Sequence, residues 1–207
     1  MKVTATRDVY TLAELSPDAY DKAVEHLCTE AWEHLDSDMV SEYLAGHFAY
    51  LADENDSGVM SVKQLRDDYL VRIYWSVSYT QSDNAQLDGV LSRDYHPKLA
   101  WPDGIHTIRV TPRNFGWTTV GDVYGIDDDG SEGSAVYDQK LIEAAHDFVM
   151  NLCQRLYRAA RAECENLTGK DYVIEAYADD YGLTRRFEAD GSIAPAEFWT
   201  DDEGVSA

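Results

Sequence analysis

The pairing with the plainest chemical potential is Asp83 with His96 or His106, a carboxylate and two imidazoles at short range along the chain. Such groups share general acid–base work when a fold brings them within hydrogen-bond reach. A second line is His26, Glu30 and His34, at four-residue steps that put all three on roughly one helical face. The two histidines are eight residues apart, whereas one metal ion prefers helical ligands three or four apart. No metal site is expected there. Asp127-Asp128-Asp129-Gly130 has the look of a calcium loop, but Gly130 falls at the fourth position and Asp138 at the twelfth. The EF-hand arrangement needs glycine sixth and glutamate twelfth, so the stretch reads as a solvated acidic loop. Glycine-rich phosphate loops and the G-x-S-x-G elbow are missing from the sequence. Cys28, Cys153 and Cys164 form no C-x-x-C pair, which argues against a thiolate zinc site or a disulfide framework. The expectation is no catalytic residue, no metal and no cofactor, with an Asp83–histidine enzyme as the alternative.

Charge is the stronger signal. Asp and Glu number 39 against 17 Lys and Arg, for a formal net charge of −22 over 207 residues. Self-repulsion of this size weakens a compact fold. The apolar share is 44 % and aromatics are 12 %, enough for a core, so this is not a disordered acidic tail. The carboxylates run from Asp8 to Glu203 and belong to the folded surface. Free nucleic acid and anionic membranes repel such a surface; a basic, nucleic-acid-binding protein attracts it. The clusters Asp53, Glu54 and Asp56, then Asp127, Asp128 and Asp129, then Asp179 and Asp180, are the candidate contacts. Salt adaptation is the rival explanation, since Asp is abundant at 25 residues and Lys scarce at 6 against 11 Arg. Arg155, Arg158 and Arg161, with Arg185 and Arg186, are local positive patches that intramolecular pairing explains most simply.

Periodicity supplies the elements. Residues 2–10 have strand character. Ser16-Pro17-Asp18 opens a helix, the serine capping free amides, the proline at the first position and the aspartate against the dipole. Tyr20, Val24, Leu27, Ala31 and Leu35 give its apolar stripe; Met39, Tyr43, Leu44, Phe48 and Leu51 give that of a second helix. Tyr69–Thr80 and Ala85–Ser92 alternate as paired strands around a Gln81–Asn84 turn. Ile105–Thr111 and Trp117–Tyr124 make a second pair, and Asp127–Gly133 an exposed loop. A long helix follows from Tyr137 to about Asn166, striped by Leu141, Ala145, Phe148, Leu152, Leu156, Ala159 and Glu163. Asp171–Asp180 suits a short helix or a strand, and Leu183–Phe187 a strand before the Asp190-Gly191 turn. Trp75, Tyr79, Trp101, Trp117, Tyr124 and Trp199 gather in the sheet half as packing residues.

Residues 73–89, IYWSVSYTQSDNAQLDG, resemble a segment of small acidic early proteins of tailed bacteriophages, where an aromatic strand, a Ser-Gln-Gly-Asp-Gly-Ala turn and an apolar-acidic-Gly return follow one another. Ser76, Gln81, Asp83, Ala85 and Gly89 match it. Ser82 and Asn84 replace the two turn glycines, and Val77, Ser78 and Tyr79 also depart. Leu12–Ala23 is similar to the helix opening of that group, and residues 171–191 to its tail. The resemblance implies a small, non-secreted phage accessory protein.

The sequence therefore predicts an α+β protein: an N-terminal helical hairpin, an antiparallel meander of about four strands and a long C-terminal helix. One domain over residues 1–200 with a frayed acidic tail at 201–207 is expected. The N-terminus has no apolar leader core and no run approaches a membrane span, so a cytoplasmic location is expected, the host's if phage-encoded. The functional expectation is a non-enzymatic anti-defence protein that mimics nucleic-acid charge and blocks a basic groove of a host nuclease, restriction enzyme or CRISPR effector. The aromatic-rich sheet offers a face on which a second copy could pair.

Overall fold

The computed structural model describes residues 8–52, 60–78, 83–113, 117–126, 132–135, 138–177, 179–180, 183–195 and 200–201. Their contacts gather in two compact units, residues 1–35 with 164–207, and residues 36–163. The helices read from sequence as a hairpin, α1 (Pro17–Glu33) and α2 (Ser37–Ala52), fall in different units. The strand expected at residues 2–10 lies outside the described residues up to residue 7.

In the first unit, α1 begins where its cap requires: the Ser16 hydroxyl accepts from the Ala19 N–H, with Pro17 at the first position. A short 3-10 turn, Leu12–Glu14, precedes it. Ala23, Leu27 and Ala31 of α1 form a fully buried cluster with Val173 and Phe187. Val173 belongs to α5 (Lys170–Tyr177), so Asp171–Asp180 is helical over most of its length. Phe187 is fixed from both sides of its backbone: it exchanges 2.8 Å hydrogen bonds with Tyr10 and bridges to Ile193 across the Asp190-Gly191 turn. A small sheet, β6 (Asp179–Asp180), β7 (Leu183–Thr184) and β8 (Thr200–Asp201), completes the unit. Of the expected 201–207 tail, Asp201 closes β8 and residues 202–207 lie outside the described residues.

The second unit holds the meander. Strands β1 (Val71–Ser76), β2 (Asn84–Ser92), β3 (Thr107–Arg113), β4 (Trp117–Ile126) and β5 (Glu132–Ala135) are antiparallel neighbours in chain order. The sheet runs one strand beyond the four expected. Part of the stretch read as an acidic loop pairs with β4, because a ladder satisfies backbone groups whatever the side-chain period. Helix α3 (Val62–Asp67), not apparent from periodicity in so short a segment, opens on a capping box of Ser61 and Gln64.

Burial on α2 departs from the expected stripe. Val40, Leu44, Ala45, Phe48, Ala49 and Ala52 are buried, whereas Met39 and Tyr43 are 47 % and 41 % exposed. Small residues on the inner face let the helix approach closely, and the larger side chains fall to solvent. The long helix α4 (Gln139–Leu167) buries Ala145, Leu152, Leu156 and Ala159 of the expected stripe together with Val149 and Ala160, while Leu141, Phe148 and Glu163 are half-buried. Phe148 instead stacks on Trp101, ring centroids 5.0 Å apart.

The entry to the sheet depends on one crossing. Leu70 is a non-glycine residue at φ 56°, and its carbonyl lies over Gly89, itself at φ 140° and paired with Val71. A Cβ on Gly89 would stand 1.8 Å from that oxygen. Gly104 also has positive φ, at 79°, but a Cβ there meets only Leu141 Cδ2 at 3.7 Å. Gly89→Ala is therefore expected to cost about 3 kcal/mol or more, and Gly104→Ala about 1–2 kcal/mol from backbone strain alone. Denaturant midpoints of the two variants check the order.

His96 sits at the centre of this unit with no exposed surface, edge-on to Phe48 at 5.3 Å and tilted on Tyr69 at 5.6 Å. Its Nδ1 is 3.0 Å from the Ser92 carbonyl, while Nε2 has no hydrogen-bond partner. Burial drives its pKa from 6.5 down to about 4, against a smaller upward pull from Ser92. The folded ring stays neutral while the unfolded one charges, so stability is complete above pH 6.5 and falls as the pH drops toward 4. The loss reaches about 3 kcal/mol over that window. His96→Phe should flatten the wild-type difference in unfolding free energy between pH 7.5 and pH 4.5 by about 2.5 kcal/mol.

Candidate acidic interaction surface

Among the described side chains every Asp and Glu is at least partly exposed; the buried polar residues are Gln86, Ser92, His96, Thr107 and Arg185. Acid is thus excluded from the interior, as hydration of unpaired carboxylates demands. With 39 acids and 17 bases, one-to-one pairing leaves 39 − 17 = 22 carboxylates without a cation.

The pairs that form are mostly exposed. Lys22 Nζ is 2.7 Å from Asp190, whose carboxylate also takes the Ser192 hydroxyl and amide; the lysine bond first, then the Ser192 bonds, hold its pKa far down. Lys170 reaches Asp21 at 3.6 Å, and Arg66 Nε reaches Asp67 at 2.9 Å. The exception is Arg185, with a side chain only 6 % exposed, whose Nη1 donates to Glu30 Oε2. That contact places both a candidate basic patch and the centre of the His26–Glu30–His34 line. Glu30 neutralises a buried guanidinium, and no group of three or more ligand side chains suited to a metal ion occurs among the described residues.

Of the three acidic clusters, Asp53, Glu54 and Asp56 and Asp127, Asp128 and Asp129 lie outside the described residues. Asp179 and Asp180 form β6, paired with Thr184 and Leu183, and only their backbone is described.

The hairpin of residues 73–89 is better placed. Ser76 pairs with Asn84 and Trp75 with Ala85, and Gly89 lies under Leu70; Gln81 is outside the described residues. Asp83 accepts a 2.8 Å bond from the Ser78 hydroxyl. It lines a cavity of about 130 Å³ with Asn84, Ala85, Met150, Cys153, Gln154 and Tyr157, and without a histidine. His96 is enclosed by Phe48, Tyr69 and Ser92, and His106 is exposed. The Asp83 cavity and the two histidines are not brought together.

Sequence reasoning missed two features of this unit. On α2, Tyr43 stacks on His47 at 6.1 Å, and both share a cavity of about 540 Å³ with Glu42, Tyr50 and Met60. Burial, and then the positive field of Arg155, lower the His47 pKa. A second cavity, of about 360 Å³, opens between α2, α3 and β1. Neither shows in the sequence, because each is built from residues on separate elements. No helix of the described residues is long and apolar enough to cross a membrane.

Removing one member of the Glu30–Arg185 pair has unequal consequences. Glu30→Ala removes the carboxylate that a buried guanidinium donates to and should cost about 3 kcal/mol, whereas Arg185→Met, which restores apolar packing, should cost less. Chemical denaturation of the two variants checks the asymmetry.

The chain matches no protein-family model, no curated protein and no solved structure.

Proposed function

We propose that this protein is a non-enzymatic acidic inhibitor of phage type, which imitates the charge of nucleic acid and occupies a basic groove of a host nuclease, restriction enzyme or CRISPR effector. The observation that carries this reading is the outward placement of every described carboxylate together with a surplus of 22 that no internal base can match. Duplex DNA carries about one negative charge per 1.7 Å of axis, and a folded acidic surface offers a basic groove the same sign of field. The resemblance of residues 73–89 to early phage proteins is consistent with it. Complementary fields would speed association, and salt would weaken it.

The high Asp and low Lys content favours a second reading, adaptation of a soluble α+β protein to a saline cytoplasm, which needs no partner.

Unfolding followed by circular dichroism from low salt to molar KCl separates the two. The inhibitor reading expects cooperative folding at low salt; folding only in molar KCl favours adaptation. In a competition assay with duplex DNA against basic host nucleases, reversing Asp53, Glu54, Asp56, Asp127, Asp128, Asp129, Asp179 and Asp180 to Lys should weaken inhibition by about tenfold or more. Unchanged inhibition with intact folding defeats the proposal.

A further inference from the structure

We propose that the cavity between α2, α3 and β1 binds a small amphipathic carboxylate, its head on Arg72 and Arg66 and its apolar body along Ala45, Val62, Leu65, Val71 and Ile73. This site is independent of the acidic surface and of the inhibitor reading.

Size and lining come first. The cavity is about 360 Å³, within the roughly 300–1,000 Å³ typical of small-molecule sites. Five of its eight lining residues are apolar. The one hydroxyl, Ser41, is already engaged, donating to the Ser37 carbonyl at 2.7 Å and accepting from Trp75 Nε1 at 3.1 Å. The polar side chains left to a ligand are the two guanidinium groups. An apolar body with a single anionic end is what such a lining complements.

The lining carries two guanidinium groups and no carboxylate, with Asp67 beside Arg66, Asp88 opposite Arg72 across the β1–β2 ladder and Glu42 on the Val62 amide. Against a net −22, Lys63, Arg66 and Arg72 all act on the single carboxylate of Asp67 and help hold its pKa down, the Arg66 hydrogen bond most of all. Asp67 occupies Arg66 Nε at 2.9 Å. Arg72 is exposed, acts on Asp67 without a direct ion pair among the described residues and lies opposite Asp88 in the β1–β2 register, so its guanidinium fork has room for a ligand carboxylate. Guanidinium suits that partner because its fork matches two oxygens at once.

Access is also provided. β1 is the outer strand of its sheet, so no further strand of that sheet covers the cavity on that side. Val62 in the lining and Leu70, the residue before β1, are 39 % and 59 % exposed, apolar surface that the fold leaves uncovered. Seven large apolar side chains are exposed among the described residues, and six of them lie between Met39 and Tyr74, on α2, α3 and β1 or beside them.

The test uses octanoate and octan-1-ol as probes on the full-length protein, with calorimetric titration and amide shift mapping by NMR. Octanoate should bind in the sub-millimolar range, shift the amides of Ser41, Leu65 and Arg72, and bind about tenfold more tightly than the alcohol. Arg72→Gln should remove about tenfold of octanoate affinity and leave the alcohol unchanged; Arg66→Gln should do the same to a smaller degree, since Asp67 already takes part of its charge. Arg158→Gln, which removes the same charge from an exposed site on α4, should change nothing. Equal affinity for acid and alcohol, shifts that map elsewhere, an equal effect of Arg158→Gln, or no binding at millimolar octanoate would each overturn the proposal.

Discussion

An unmatched carboxylate must keep its water, and this chain has 22 more of them than its bases can neutralise. That requirement divides the described residues into an acidic exterior and an interior built from alanine, aliphatic residues, a few aromatics and three sulfur-bearing side chains, Met60, Cys153 and Cys164. The cost of the repulsion is met by tight apolar packing. Helices α1 and α2 each present small residues inward, Ala19, Ala23 and Ala31 on one, Ala45, Ala49 and Ala52 on the other. Close helix approach compensates for the modest side-chain volume. Where a charge does enter, at Arg185, it is cationic and arrives with its own carboxylate.

The features that were legible in the sequence are those decided locally. Ser16 and Pro17 mark a helix start because a cap is a matter of three or four residues, and the alternation of β1 shows because its inner and outer faces differ in burial, whereas β2 buries Ala85, Gln86 and Leu87 in succession. Facing is another matter. Met39 and Tyr43 look like core by size, but a helix buries the face that fits, and that face is the one carrying Val40, Leu44 and the alanines at 45, 49 and 52. Strands of two residues, such as β6 and β7, have no period at all and arise only from their partners.

The candidate sites divide along the same line. Charge can be counted from a sequence, so an acidic surface is visible there; its three-dimensional pattern is not. Asp83 and His96 are thirteen residues apart, and proximity in sequence suggested shared chemistry. The β2 strand that separates them carries one to a hairpin end and the other into the core. Arg66 and Arg72 carried no signal, since they belong to a helix and a strand whose junction is invisible until Leu70 turns through its left-handed conformation over Gly89.

The unit built around Phe187 is assembled from both ends of the chain. Its apolar cluster takes Ala23, Leu27 and Ala31 from α1 and Val173 and Phe187 from beyond α4. A ribosome delivers α1 well before its partners. At roughly 5–20 residues per second, on the order of 10–30 s pass between the end of α1 and the arrival of Phe187. During that interval the inner stripe of α1 has no cover from its own unit, while residues 36–163 already have a complete sheet to fold. The acidic outer face of α1 then has a second use: it keeps a waiting helix in solution until Val173 and Phe187 arrive to cover it.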